Sequence, residues 1–161
     1  MWLECGYEQG SQHEGDAAPL FATQYREFPI IKWDDITAWL SHADEKLVQG
    51  RHVMALAEYH PYLSTDAYCL VMQGDAMISD NSAERSLYPG DFIVIDPKIT
   101  PEPGAIVLVK IGDDIKVRKV VYDGNQTLLK AHNPHYPFIS LNSHVRILGT
   151  NEYVSACLSK R

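Results

Sequence analysis

Cysteine is scarce in this sequence, which contains three cysteines among 161 residues. Cys5, Cys69 and Cys157 lie far apart, with no CxxC pair and no Cys/His spacing typical of a zinc site. An odd number of widely spaced cysteines does not build a disulfide framework and is typical of a reducing compartment. We therefore expect a cytoplasmic protein, with Cys69 buried because it lies within an apolar run.

Long apolar runs and an excess of basic residues are also missing. No stretch approaches the roughly 18 apolar residues of a membrane-spanning helix, and the N-terminus does not have the pattern of a signal peptide. We expect no membrane partner. The 14 Lys and Arg residues are outnumbered by 21 Asp and Glu residues, which gives a formal net charge of −7. Because affinity for a nucleic-acid backbone comes mostly from Lys and Arg, this balance argues against DNA binding by this chain alone.

The sequence has none of the common catalytic or cofactor motifs GxGxxG, GxxxxGK(S/T), HExxH and GxSxG. His132 and His135 flank a proline in "AHNPHYP", but no nearby carboxylate or cysteine completes a metal site. The basic cluster Lys116, Arg118 and Lys119 is split between two faces of a strand, because successive strand side chains alternate. We predict no metal and no cofactor, and no nucleic-acid patch at this cluster.

A regular series of short apolar segments begins at residue 67. "AYCLVMQ", "DFIVIDP", "AIVLVKIG" and "IKVRKVVYDG" are separated by turns that contain Gly or Pro, and "HVRILGTNEYVSACL" gives a final long strand, or two. About six or seven strands at this spacing predict a mainly β fold, a coiled β-sandwich or partly open barrel with little helix.

The segment before residue 67 gives mixed signals. "FPIIKW" indicates an extended segment, and "DDITAWLSHADE" indicates a short helix that an Asp could cap, with apolar residues at helical spacing. Residues 51–59, "RHVMALAEY", fit either a strand or a helix.

The segment "QGDAM", residues 73–77, places a Gly-Asp turn at a strand end and presents Ala76 there. Alone, it indicates only a tight turn. It is followed in order by "LYPGDFIVIDP", "EPGAIVLVKI", "IKVRKV", "NPHYP" and "RILGT". This series resembles the C-terminal domain of the LexA and phage CI repressors, the S24 peptidase family, from about residue 27 to 157. The resemblance implies the LexA-like, or signal-peptidase-like, β fold.

The resemblance also implies which residues occupy the family's catalytic positions. In that family a Gly-Asp-Ser-Met turn carries a nucleophilic Ser, and a strand Lys acts as its general base. The nucleophile position falls on Ala76, and the base position falls on Arg118, which cannot be deprotonated in a protein. Lys119 faces the opposite side of the strand unless a bulge shifts the register. The scissile Ala-Gly of self-cleaving members falls on Ile36-Thr37, a β-branched pair that fits badly in a cleft for small residues.

These departures imply a degenerate peptidase-like domain that is not an enzyme and is kept for assembly. Residues 1–24 are predicted to be a linker from an N-terminal helix-turn-helix domain, because "WLECGYEQG" resembles the last stretch of that domain in such repressors. Residues 25–161 would form the LexA/CI-like C-terminal oligomerisation domain. The implied partners are a second copy of the chain, operator DNA through the N-terminal domain, and an antirepressor protein.

The C-terminal strand supplies the candidate oligomer interface. Its apolar and aromatic residues could form a self-complementary patch, although an equal alternative is that most of them belong to the core. They are Val145, Ile147, Leu148, Tyr153, Val154 and Leu158.

Three interpretations remain open from the sequence. The first is the assembly domain of a naturally non-cleaving phage-type repressor. The second is a self-cleaving peptidase whose nucleophile was mutated to Ala76; a register shifted by one residue would make Lys119 its base. The third is a peptide-binding module, in which the vacated cleft holds the loop around residues 33–42 or an antirepressor segment by strand addition.

Overall fold

The computed structural model describes residues 25–55 and 62–156, which form nine strands and one short α-helix. The helix is α1 (Ile36–His42). The strands are β1 (Tyr25–Ile31), β2 (Val48–Ala55), β3 (Tyr68–Val71), β4 (Phe92–Asp96), β5 (Ile106–Ile111), β6 (Asp114–Asp123), β7 (Gln126–Lys130), β8 (Ile139–Ser140) and β9 (Val145–Ser155).

All nine strands belong to one mixed sheet that does not close, in the order β2-β1-β3-β4-β9-β5-β6-β7-β8. Neighbouring strands are antiparallel except for the pair β1 and β3, which run in parallel and meet at Ile30 and Cys69. The prediction of a mainly β, partly open fold with little helix is confirmed. Residues 51–55 of the ambiguous segment are strand, and residues 56–59 lie outside the described residues.

The predicted short helix is present, but the expected Asp cap is not. A 3₁₀ turn at Trp33–Asp35 runs directly into α1, and the Asp35 backbone is already in the helical region, with φ −99° and ψ −1°. Because a capping side chain needs the extended backbone of a true N-cap, Asp35 makes no capping hydrogen bond. The helix is instead fixed by burial of Ile36 and by Trp33 Nε1, which donates to Val71 O at 2.7 Å.

The final strand β9 lies in the middle of the sheet, where it pairs with both β4 and β5. The C-terminal segment "HVRILGTNEYVS" therefore gives one long strand, not two. At Gly149 the chain passes so close to β4 that an added Cβ would lie 2.6 Å from Ile95 Cγ2. The close approach explains why a strand interior contains glycine here.

Among the described residues the core consists of three clusters. The largest packs α1 against the sheet and includes Ile36, Tyr68 and Met77, all with no exposed surface. A second contains Cys69, which is fully buried as predicted, and a third lies between β5, β6 and β7 around Val107 and Val120. The largest cluster reaches the turn after β3 through Met77, so the candidate site is attached directly to the core.

Candidate functional site

The turn that follows β3 presents Ala76 at a strand end, as the sequence indicated. Gly74 has a positive φ of +76°, and Ile78 N donates to Asp75 O at 3.1 Å, which closes the turn. The next side chain, Met77, is fully buried, and Leu87 N donates to Met77 O at 2.9 Å. Ala76 is half-buried and contributes only a methyl group at the position that the turn presents.

The "NPHYP" loop holds this turn from the side. Asn133 N donates to Ala76 O at 2.9 Å, and Asn133 Nδ2 donates to Asp75 O at 3.2 Å. The Tyr136 hydroxyl donates to the Asp75 carboxylate, and this hydrogen bond raises the pKa of Tyr136 above its ordinary value of 10.0. The hydroxyl therefore stays protonated at neutral pH and acts as a donor.

Arg118 reaches this site from β6, where it lies opposite Val107 of β5. It is 6% exposed, and its Nη1 donates to Val117 O at 2.8 Å. Its guanidinium carbon lies 5.5 Å from the centre of the Tyr136 ring, within the range of a cation–π contact. Burial lowers the pKa of Arg118 from 12.5, with the nearby Tyr136 opposing the change, but a guanidinium remains charged in a protein.

Lys119 faces the opposite side of β6, and no bulge appears between β5 and β6 that would reverse it. Its Nζ lies 3.1 Å from Glu84 Oε1, and Ser79 Oγ donates to the other Glu84 oxygen at 3.1 Å. The hydrogen bond from Lys119 is the main cause that lowers the pKa of the Glu84 carboxyl. Lys119 is thus paired with Glu84, a residue that sequence reasoning missed entirely.

His132 lies beside the turn, and burial is the main cause that lowers its pKa below 6.5. Its side chain is almost completely buried, whereas His135 is exposed, so the two do not face a common site. Within residues 25–55 and 62–156, no group of three His, Cys, Asp or Glu side chains is placed to hold a metal ion.

The predicted scissile pair lies in α1. Ile36 is its first residue and has no exposed surface, whereas Thr37 is exposed. Ile36 shares a core cluster with Met77, so the helix and the turn are connected through the same packing. The Ile36-Thr37 peptide bond is therefore helical and partly covered, not extended.

Most of the candidate interface residues pack against the core from β9. Leu148 is 7% exposed and belongs to the largest core cluster, which is the packing role that the sequence left as the alternative. The half-buried members rest against the three clusters: Val154 on the largest, Tyr153 on the second, and Val145 and Ile147 on the third. Leu158 lies outside the described residues.

The described residues line two hollows on the surface, of which one lies beside the turn. A groove of about 390 Å³ adjoins it and is lined by residues that include Trp33, Val71 and Gln73. A larger hollow of about 860 Å³ is lined by polar and apolar residues of β1, α1 and nearby loops and by none from the turn. Among the described residues, no helix is long and apolar enough to cross a membrane.

Comparison with known proteins gives a family match over most of the chain. The family model described as Peptidase S24-like matches residues 29–151. The chain is 30% identical over 127 residues to Repressor protein C2 of Salmonella phage P22, covering 76% of this chain and 56% of that protein. It is 29% identical over 127 residues to the HTH-type transcriptional regulator for conjugative element R391 of Providencia rettgeri, covering 75% of this chain and 56% of that protein.

A third relative is matched over a longer stretch. The prophage repressor CohE of Escherichia coli K12 is 29% identical over 156 residues, which cover 92% of this chain and 65% of that protein. The chain thus spans a little more than half the length of the first two relatives and about two thirds of the third.

Proposed function

Because this chain belongs to the Peptidase S24-like family, we propose that it is the C-terminal assembly domain of a CI-type phage or prophage repressor that does not cleave itself. The observation that carries the proposal is Ala76. The turn around it is anchored by the core at Met77 and by hydrogen bonds from Asn133, yet it presents a methyl group. A methyl group has no lone pair and cannot attack a peptide carbonyl.

The basic side chains of β6 also support the loss of peptidase activity. A Ser–Lys dyad needs a lysine that is neutral for part of the time, so that it can accept the proton of the serine. Arg118 remains charged, and Lys119 is held by Glu84 at 3.1 Å on the other face of β6. The ion pair speaks against the alternative in which Lys119 serves as the base of a peptidase with a mutated nucleophile.

The surroundings of Ile36-Thr37 support the loss of a cleavable segment. A peptide bond must be accessible and extended to lie in a peptidase cleft, as in strand addition. Here it begins α1, and Ile36 is fully buried. In this proposal, release of the repressor from DNA therefore depends on another route, such as an antirepressor protein.

Assembly is the purpose for which the domain is kept in this proposal. A dimer places two DNA-binding domains on a two-fold symmetric operator. Because they are tethered, binding of the first domain raises the effective concentration of the second at its half-site. The formal net charge of −7 disfavours phosphate binding by this chain, so operator binding is assigned to a helix-turn-helix region outside it. The repressor would act in the cytoplasm.

The first test is mass against concentration, measured by analytical ultracentrifugation from low micromolar to near millimolar protein. We expect a reversible rise from 18.2 kDa toward at least twice that mass. Val145→Asp and Ile147→Asp should weaken the association if β9 forms the interface. Arg146→Asp is the matched control, because it is exposed between them on the opposite face of the same strand.

A monomer at every concentration would contradict the assembly role. Circular dichroism of each variant identifies any that have simply unfolded. If the folded variants associate like the wild type, the interface lies away from Val145 and Ile147.

A second candidate function, peptide binding in the vacated cleft, is favoured by the groove of about 390 Å³ beside the turn. The groove is lined by Val71 and Gln73, which lead directly into the Gly74–Ala76 turn. A fluorescent antirepressor-like peptide that binds the wild type and loses affinity in Gln73→Ala would support this candidate. Unchanged affinity would place the peptide elsewhere.

A further inference from the structure

The guanidinium of Arg118 is a buried positive charge with no counter-ion in the part of the chain that the structure describes. The side chain is 6% exposed, and no described carboxylate lies within 4.0 Å of it. Of its five N–H donors, the structure uses one, from Nη1 to Val117 O. Nε is fully buried and has no hydrogen-bond partner. A charge in this state is unfavourable until an anion pairs with it.

Four donors are therefore unused, and two of them, one on Nε and one on Nη2, lie along the same edge of the guanidinium. Because Nη1 points at the Val117 carbonyl, the Nε–Nη2 edge is left for other acceptors. Two parallel N–H groups on such an edge match the two oxygens of a carboxylate, which makes the contact bidentate. The donor geometry therefore points to a carboxylate, not to a spherical anion such as chloride.

The neighbours of Arg118 limit the charge of the anion. Val107 and Val120 are buried on the same side of the sheet, so the charge lies in apolar surroundings. The Tyr136 ring packs 5.5 Å from the guanidinium, and its hydroxyl binds the Asp75 carboxylate. One buried cation with Asp75 nearby suits a ligand with a single negative charge, and the second charge of a phosphate dianion would meet repulsion.

From this arrangement we propose that Arg118 and Tyr136 form a carboxylate-binding site in the place of the lost dyad. The ligand is a single carboxylate, supplied by an acidic side chain of a bound peptide or by a small free monocarboxylate. The Tyr136 ring beside the guanidinium is half-buried, and a ligand that contacts the fully buried Nε must displace this ring. The inference concerns the site treated in the proposed function, but it does not require that the chain assembles or lacks peptidase activity.

The test is a titration of ¹⁵N-labelled protein with acetate, followed by NMR at the Arg118 Nε–H signal in mildly acidic buffer. Ionic strength is held constant with chloride. We expect a saturable shift of this signal with acetate and none with chloride alone. Arg118→Lys keeps the charge but removes the two parallel N–H donors. The affinity for acetate, measured from the shift of the Tyr136 signals, should therefore fall by about tenfold or more.

Two variants make the result specific. Arg118→Met should abolish the acetate-dependent shift of the Tyr136 signals, whereas Arg146→Gln, which removes an exposed charge from β9, should leave it unchanged. The proposal is overturned if acetate gives no saturable shift, if chloride gives the same shift, or if the Arg118→Met protein responds like the wild type.

The source of the carboxylate is distinguished with two blocked tripeptides, Gly-Asp-Gly and Gly-Asn-Gly. Tighter binding of the Asp peptide than of acetate identifies a peptide side chain as the ligand. Equal affinity means that a small carboxylate suffices, and equal binding of the Asn peptide would overturn the site. Ultracentrifugation of the same samples separates the two proposals, because a monomer that binds acetate contradicts assembly and supports this site.

Discussion

Restoring both members of the dyad is the most direct perturbation of the vacated site. The double variant Ala76→Ser, Arg118→Lys supplies the hydroxyl and the amine that the family chemistry needs. We nevertheless expect no rapid cleavage between Ile36 and Thr37 at alkaline pH, where a lysine most readily gives up its proton. The reason is that this bond begins α1 and the Ile36 side chain has no exposed surface.

The structure gives the size of this barrier. Exposing one fully buried Ile side chain costs about 1.5–3 kcal/mol, and about 1.4 kcal/mol corresponds to a tenfold change in population. Loss of Ile36 burial alone thus makes an extended, accessible bond about 10- to 100-fold rarer. Trp39 and Leu40 pack on the same core cluster, so unwinding α1 adds to the cost.

The assay is a time course of intact mass and gel electrophoresis in alkaline buffer. The matched control is the same double variant with Ile36→Ala and Thr37→Gly, the small pair that self-cleaving members carry. We expect the control to cleave about tenfold faster or more, because it has lost the buried side chain. Rapid cleavage between Ile36 and Thr37 in the double variant itself, at the rate of the control, would refute the reasoning.

Three further perturbations test the packing around the site. Tyr68 is fully buried, and no group in the described ranges accepts a hydrogen bond from its hydroxyl, so Tyr68→Phe should raise the free energy of unfolding in urea by about 1 kcal/mol. A clear loss of stability would mean that the hydroxyl has a partner. Gly149→Ala should destabilise the fold by about 1–3 kcal/mol in the same assay, because its Cβ would meet Ile95 Cγ2 at 2.6 Å, and an unchanged midpoint would contradict this. Burial lowers the pKa of His132 below 6.5, so the unfolded chain takes up this proton at a higher pH than the folded chain does. Stability should fall as the pH drops from about 6.5 through the folded-state pKa, and His132→Gln should reduce this dependence while His135→Gln keeps it.

The sequence alone determined the β class of the fold and the position of the turn. Short apolar segments separated by Gly and Pro are local signals, because strand burial and turn geometry depend on residues close together in the chain. The same holds for Cys69, whose apolar neighbours predict its burial, and for the Gly-Asp turn that presents Ala76. The alternation of strand side chains also placed Arg118 and Lys119 on opposite faces.

Only the tertiary structure decided what these residues meet. Lys119 meets Glu84, 35 residues earlier in the chain, and Arg118 packs against Tyr136 without finding a carboxylate in the described ranges. Nothing in the sequence marks Glu84, because an exposed glutamate would give the same local pattern. The central place of β9 and the burial of Ile36 depend likewise on how distant strands pair and pack. Local sequence determines which side chains share a face, whereas the pairing and packing of distant strands decide which faces meet, and this packing leaves the Arg118 charge buried beside the Tyr136 ring.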